Sequence, residues 1–205
     1  MNDKVKDVEH YFTEHPKSKA RYGLIRAYLR GRAFEFLTAS GVFSKERVDL
    51  GTRLLIESMV LPKKGRVLDI GCGYGAVGIV AATVQPCLEV YLVDVNGRAV
   101  WLTRQNIEKN CAYNAETKRG FLYEPVKDLA FDCVLSNPPV SVGMQTVESI
   151  ILEAPALMTK KATFQMVVKS KVAGKRLCGF FEEAFSNFEV LARESGYRVL
   201  LSKKE

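Results

Sequence analysis

Two short stretches of the chain carry residue types that do chemistry. Residues 68–75 read Leu-Asp-Ile-Gly-Cys-Gly-Tyr-Gly, and residues 134–139 read Val-Leu-Ser-Asn-Pro-Pro. Each follows an apolar, β-prone run, so each belongs in the loop just past a buried strand. That is where open α/β sheets bind ligands. In the first stretch Gly71, Gly73 and Gly75 alternate. Glycine tolerates φ above zero and lets backbone approach a ligand closely. Asp69 precedes the first glycine by two, and Asp94 closes the next apolar run. Asp94 stands where a carboxylate takes the hydroxyls of a ribose.

The pair of carboxylates narrows the ligand. A dinucleotide would bring a pyrophosphate, which needs a helix N-terminus and is poorly served by a carboxylate at Asp69. S-Adenosylmethionine carries no phosphate but does carry a sulfonium and an ammonium, and a neighbouring carboxylate suits both. A tight strand–helix turn with no ligand would explain one or two glycines but not the paired acids. The second stretch fits a planar amino group. Such a nitrogen is a poor nucleophile because its lone pair is delocalised. The side-chain oxygen of Asn137 and the backbone carbonyl of Pro138 would accept its two hydrogens and turn the lone pair toward a methyl carbon. Pro139 would fix the loop. This is catalysis by orientation and electrostatics, with the cofactor supplying the reactive group.

The elements that must position these loops follow from pattern. Residues 22–38 alternate around Gly31, which suggests a hairpin; a helix over residues 22–30 competes, because Ile25 and Leu29 stand four apart. Ala39-Ser40-Gly41 reads as a turn. Asp49 caps a helix containing Leu54, Leu55 and Met59. Strand–helix alternation follows: a strand at Arg66–Ile70, a helix at Ala76–Val84, and a strand at Glu89–Val93. Asn96 caps a helix over Gly97–Asn110. Strands are expected at Lys118–Tyr123 and Phe131–Ser136. Val147, Ile150, Ile151, Ala154 and Met158 have helical spacing, with Pro155 ending or kinking that helix. Ala162–Val168 is a strand and residues 175–185 a helix. Phe188–Ala192 and Arg198–Leu201 form a closing antiparallel pair around Ser195-Gly196. The expected fold is α/β: a doubly wound, mainly parallel seven-stranded sheet with a short β-rich N-terminal extension. Residues 1–48 form that extension and residues 49–205 the main domain.

Composition sets the setting. The chain has 205 residues and a formal net charge of +7. No apolar run reaches the roughly 20 residues that span a bilayer, and the polar N-terminus is unlike a signal peptide. A cytoplasmic protein is expected. The five cysteines match no zinc or disulfide spacing, so they read as small buried thiols in a reducing compartment, and no metal is expected. Basic residues cluster early (Lys17, Lys19, Arg21, Arg26, Arg30, Arg32) and late (Lys169, Lys171, Lys175, Arg176). They suit a polyanionic partner, and the site chemistry points the same way.

Asp-Ile-Gly-Cys-Gly-Tyr-Gly together with Asn-Pro-Pro resembles the signature of class I amino-methyltransferases. Gly41-Val42-Phe43-Ser44, Val48 to Leu55, and Gly143-Met144-Gln145-Thr146 narrow the resemblance to the "methyltransferase small" domain of the ribosomal RNA small-subunit methyltransferases C, which make N2-methylguanine, and to their compact archaeal relatives. It covers about residues 38–202. It implies that Asp69, Gly71 and Gly73 flank the methionine end of S-adenosylmethionine, that Asp94 binds the ribose, and that Val95 touches adenine. It implies further that Phe43 and Thr52 cover the cofactor and that Asn137 and Pro138 hold the target amine. Two positions depart from the family. Phe121 stands where an acid usually reads the adenine amino group, and Val140 stands where an aromatic usually stacks on the target base, a task that Phe43 or Tyr74 would have to take over. The resemblance implies methyl transfer to an exocyclic amine in RNA, guanine N2 of ribosomal RNA foremost. The rivals are a protein glutamine methyltransferase and a noncatalytic RNA- or cofactor-binding subunit.

Overall fold

The computed structural model describes residues 20–44, 46–138, 143–171 and 175–205. The chain opens with an antiparallel hairpin, β1 (Tyr22–Leu29) and β2 (Arg32–Ala39), and the competing helix is absent. Arg30 and Gly31 form its two-residue turn with φ of 49° and 77°. Positive φ at both turn positions matches the right-handed twist of the flanking strands. Ile25, Leu29, Phe34 and Phe36 point inward and are buried, each contributing about 1.5–3 kcal/mol of hydrophobic stabilisation.

Helix α1 (Leu50–Ser58) follows. Asp49 caps it by accepting from the N–H groups of Gly51 and Thr52. Then come β3 (Gly65–Ile70), α2 (Ala76–Val84), β4 (Leu88–Asp94) and α3 (Gly97–Lys109). Asn96 caps α3 from its side-chain oxygen. The rest is β5 (Ala115–Arg119), β6 (Phe131–Ser136), α4 (Met144–Leu152), β7 (Met158–Lys169), α5 (Lys175–Phe185), β8 (Glu189–Glu194) and β9 (Tyr197–Lys203). The seven-stranded sheet runs β5-β4-β3-β6-β7-β9-β8. Its first five strands are parallel, and β9 and β8 close it antiparallel. One apolar core joins the hairpin, α1, α2 and α3 on one face. A second joins α4 and α5 on the other. The chain turns back on itself between β3 and β6, so the loops after β3 and β6 open into one crevice. The glycine loop and Asn137-Pro138 sit there.

Some details differ from the sequence expectation. The strand after α3 is Ala115–Arg119 rather than Lys118–Tyr123. It is an edge strand, Ala-Glu-Thr-Lys-Arg, in which only Thr117 is buried, and charged residues are how exposed edges avoid aggregation. The apolar run after it forms a loop in which the buried Tyr123 hydroxyl donates to the Ile150 carbonyl at 2.6 Å. Helix α4 ends at Leu152, and a 3-10 turn over Ala154–Leu157 takes Pro155 near its start. Met158, expected in the helix, begins β7. Cys72 and Cys133 are buried as expected, but Cys87 and Cys111 are exposed.

The early arginines are also spent differently. The Arg30 guanidinium donates to the carbonyls of Ile56, Glu57 and Met59, and Arg32 donates to that of Thr83 at 2.8 Å. Both fasten the hairpin turn to helix C-termini, where a cation is favoured. Arg26 pairs with Glu35 at 2.7 Å. Lys17 and Lys19 lie outside the described residues. No helix among the described residues is long and apolar enough to cross a membrane.

Candidate active site

A cavity of about 280 Å³ opens at the C-terminal ends of β3, β4 and β6. The glycine loop supplies one wall through Asp69, Gly71 and Gly73. Asp94 and Val95 supply the next, and Phe121 forms a rim. Asn137 and Pro138 stand opposite, with Phe43 and Thr52 beside them. The loops named from sequence therefore converge. Gly75 does not line the cavity. It caps α2 with φ of 90°, and a Cβ there would meet Ile79 at 2.9 Å and Thr103 at 3.0 Å, so its glycine serves the turn. Pro139 and Val140 lie outside the described residues.

The glycine loop is held from several sides. The N–H groups of Gly71 and Cys72 both donate to the Val93 carbonyl, at 2.9 and 3.1 Å. The N–H of Gly78 donates to Asp69 Oδ2 at 2.9 Å, tying β3 to the first turn of α2. Gly73 donates to Asp94 Oδ2 at 2.9 Å, and the N–H of Asn96 to Asp94 Oδ1 at 2.8 Å. Gly73 takes φ of 60°, and a Cβ built on it would meet nothing within 4 Å. Open space on that side lets a ligand reach the backbone.

Burial pushes both acids up. Asp69 rises to about 7, with burial outweighing the Gly78 hydrogen bond and the Asp94 charge adding to the rise. Asp94 rises to about 6 by burial, against backbone hydrogen bonds from Asn96, Gly73 and Val95. Two carboxylates in one dry pocket disfavour each other's charge, and a cation placed beside them reverses that.

Two buried polar residues of α3, Thr103 and Asn106, and its half-buried C-cap, Asn110, complete the loop's support. Thr103 donates its hydroxyl to the Gly73 carbonyl at 2.9 Å. Asn106 Nδ2 donates to the carbonyls of Tyr74 and Leu37, at 2.8 and 2.9 Å, while its Oδ1 accepts from the Leu37 N–H at 2.6 Å. Asn110 bonds both backbone groups of Glu35. Asn96 Nδ2 adds a bond to the Gly41 carbonyl at 3.0 Å. The helix thus locks the glycine loop to the β2 edge. Their signal was polar residues three and four apart on the face whose other members are apolar.

On the opposite wall, Asn137 Nδ2 donates to Thr52 Oγ1 at 2.7 Å. The Thr52 hydroxyl in turn donates to the Asp49 carboxylate. Thr52, expected as a cofactor cover, is thus also a hydrogen-bond partner of Asn137. Tyr74 is 4% exposed and its ring lies tilted against Phe36 at 5.6 Å. It is therefore a packing residue rather than a stacking platform for a base, and its hydroxyl has no partner among the described residues. Phe43 remains half-buried at the cavity mouth.

A doubly wound sheet in this strand order, with a glycine loop, an acid at the next strand end and an Asn-Pro loop lining one cavity, is the architecture of methyltransferase domains. The profile of the methyltransferase small domain matches residues 33–201. The chain belongs to that family. YbxB of Bacillus subtilis, an uncharacterized protein, is 33% identical over 198 residues, 96% of this chain and 98% of YbxB. Ribosomal RNA small subunit methyltransferase C of Hamiltonella defensa is 32% identical over 166 residues, 79% of this chain and 48% of the relative. The chain thus spans about half the length of the ribosomal RNA methyltransferases it matches. Among solved structures, the Thermus thermophilus 16S rRNA N2 G1207 methyltransferase, in complex with AdoMet and guanosine, superposes with a TM-score of 0.81 at 26% identity. That match covers 93% of this chain and 52% of the other.

Proposed function

We propose that the chain transfers a methyl group from S-adenosylmethionine to the exocyclic amino nitrogen of a base in RNA, with guanine N2 of ribosomal RNA as the target. The carrying observation is that Asn137 faces the same cavity as the glycine loop, with its amide nitrogen engaged by Thr52 at 2.7 Å. The amide oxygen is thereby left for a donor in the cavity, which is what an amino group is.

S-Adenosylmethionine fits the opposite wall. Asp69 would face its cationic methionine end, Asp94 would take its ribose hydroxyls, and Val95 and Phe121 would hold its adenine. Asn137 Oδ1 and the Pro138 carbonyl accept the two hydrogens of the target amine. The nitrogen lone pair then attacks the methyl carbon in line. The carbon–sulfur bond breaks, and its electron pair stays on sulfur as S-adenosylhomocysteine. The nitrogen loses one proton to solvent as it gains positive charge, so no strong base is required. The protein supplies orientation and acceptors aimed at developing charge. The target base must be unpaired or flipped to reach the cavity. In this reading residues 49–205 carry the transfer machinery, and residues 1–48 form an extension whose hairpin braces it.

The support is chemical and comparative: the relatives named for ribosomal RNA methylation share the domain, and the net charge of +7 favours a polyanion. The test is incubation of the protein and tritiated S-adenosylmethionine with ribosomal RNA from cells lacking the gene. Label recovered as N2-methylguanosine is expected. Label recovered only in protein, at glutamine, would replace the RNA substrate with a side-chain amide.

A further inference from the structure

We infer that Asp49 and Thr52 are positioning residues, and that together they set which end of the Asn137 amide faces the substrate. The inference rests on the reading of Asn137 as the group that holds the target amine. The three residues form a chain of hydrogen bonds with one possible direction. A carboxylate only accepts, so the Thr52 proton is committed to Asp49. The Thr52 oxygen then has only lone pairs for its other neighbour. Asn137 must meet it with Nδ2, at 2.7 Å, across 85 residues of sequence. Turned over, the amide would set two acceptors against each other. Its Oδ1 is therefore directed into the cavity, where an amino group needs an acceptor.

Asp49 is itself fixed. Its Oδ1 accepts from the N–H groups of Gly51 at 3.0 Å and Thr52 at 3.2 Å, which leaves Oδ2 aimed at the Thr52 hydroxyl. Thr52 is 6% exposed, so bulk water does not compete freely for its hydroxyl. One helix cap thus orients a catalytic amide on a distant loop. A carboxamide is nearly symmetric in shape, and packing alone discriminates poorly between its two ends. Hydrogen-bond direction discriminates strongly, because the wrong end sets an acceptor against the buried Thr52 oxygen.

The substitutions that test this separate direction from shape. Asp49→Asn keeps an acceptor for the two N–H groups and remains a good cap. It presents an NH2 to Thr52, however, so Thr52 must accept there and donate to Asn137. The direction of the chain reverses and Asn137 turns its NH2 to the substrate. Turnover should fall about 10-fold to 100-fold, below the loss expected for deleting the Asn137 acceptor itself, with KM for S-adenosylmethionine within about 2-fold. Thr52→Val keeps the shape and removes the hydroxyl, and it should fall between Asp49→Asn and wild type. Thr52→Ser keeps the hydroxyl and should lose less turnover than Thr52→Val. A role in packing or capping alone predicts the opposite order, with Asp49→Asn and Thr52→Val close to wild type and Thr52→Ser, which loses a methyl group, the most affected.

A second readout needs no substrate. With asparagine labelled in 15N, the Asn137 carboxamide signal, identified by its loss in Asn137→Ala, should exchange slowly with water. It should move and exchange faster in Asp49→Asn and Thr52→Val but not in Thr52→Ser. If wild type methylates no RNA, the proposed substrate falls while this signal still decides the chain's direction. A carboxamide signal unchanged across the three variants overturns the inference, as does Asp49→Asn turning over at the wild-type rate.

Discussion

The two walls of the cavity are built on different plans. The glycine-loop wall is braced by Val93, Asp94, Thr103 and Asn106, each bonding its backbone directly. The Asn137 wall, in its described residues, is braced through a chain of side chains running back to Asp49. A wall that receives the same cofactor in every cycle can be fixed by its own backbone. In the proposed reaction the second wall presents a free acceptor to the target amine, so its polar group must be aimed without being used up. The contrast teaches that damage to the first wall should appear as lost binding or stability, and damage to the second as lost rate.

The largest expected effect is on the second wall. Asn137→Ala should cost on the order of 10²–10³ in rate, by analogy with losing one hydrogen-bonding group aimed at transition-state charge. Cofactor affinity, measured by isothermal titration, should stay within a few-fold of wild type. A comparable loss in both quantities would erase the distinction between the walls. On the first wall, Asp94→Ala should weaken S-adenosylmethionine binding by about 1.5–3 kcal/mol, the scale of hydrogen bonds to a charged group. The Gly73 and Asn96 N–H groups also lose their acceptor, so thermal stability should drop as well. Unchanged affinity would remove Asp94 as the ribose ligand.

Asn106→Leu should destabilise the fold by about 1–3 kcal/mol, because the Tyr74 carbonyl and both Leu37 backbone groups lose buried partners. Denaturant melts would read it, and a midpoint unmoved from wild type would show that α3 does not brace the loop.

The smallest effect is on pH. Asp69 and Asp94 are raised to about 7 and about 6 by burial, above their ordinary value of 3.8. Between those limits the folded protein holds more protons than the unfolded chain. The stability these acids contribute is thus fully present below pH 4 and is lost as pH rises through 6 and 7. A ligand that brings a sulfonium and an ammonium beside them favours their ionised forms, so the rise in Tm caused by S-adenosylmethionine should grow between pH 5.5 and 8. S-Adenosylhomocysteine, which lacks the sulfonium charge, should show less of that growth. Equal growth with both ligands would mean that the acids do not sense the sulfonium.

The same contrast governs what could be read in the residues. The first wall was legible because its signals are local: three glycines and two acids at set distances from apolar runs. The sheet was legible for the same reason, and α2 and β6 fall on the expected bounds, Ala76–Val84 and Phe131–Ser136. β5 was misplaced because an edge strand needs no apolar pattern. Gly75 was grouped with ligand-facing glycines because spacing does not tell a glycine that meets a ligand from one that meets Thr103. The Asp49–Thr52–Asn137 chain was not legible at all. Asp49 was visible as a cap and Thr52 as a cavity residue, but their joint action on Asn137 depends on tertiary contact across 85 positions. Arg30 and Arg32 looked like an anion-binding cluster until their carbonyl partners were known.

The most direct test of the whole account is nucleoside mass spectrometry of ribosomal RNA from a strain lacking the gene, complemented with wild type or with Asn137→Ala. The account predicts that N2-methylguanosine is lost from one site in the deletion strain, returns with wild type, and does not return with Asn137→Ala. An unchanged N2-methylguanosine content in the deletion strain, or its full return with Asn137→Ala, would contradict it.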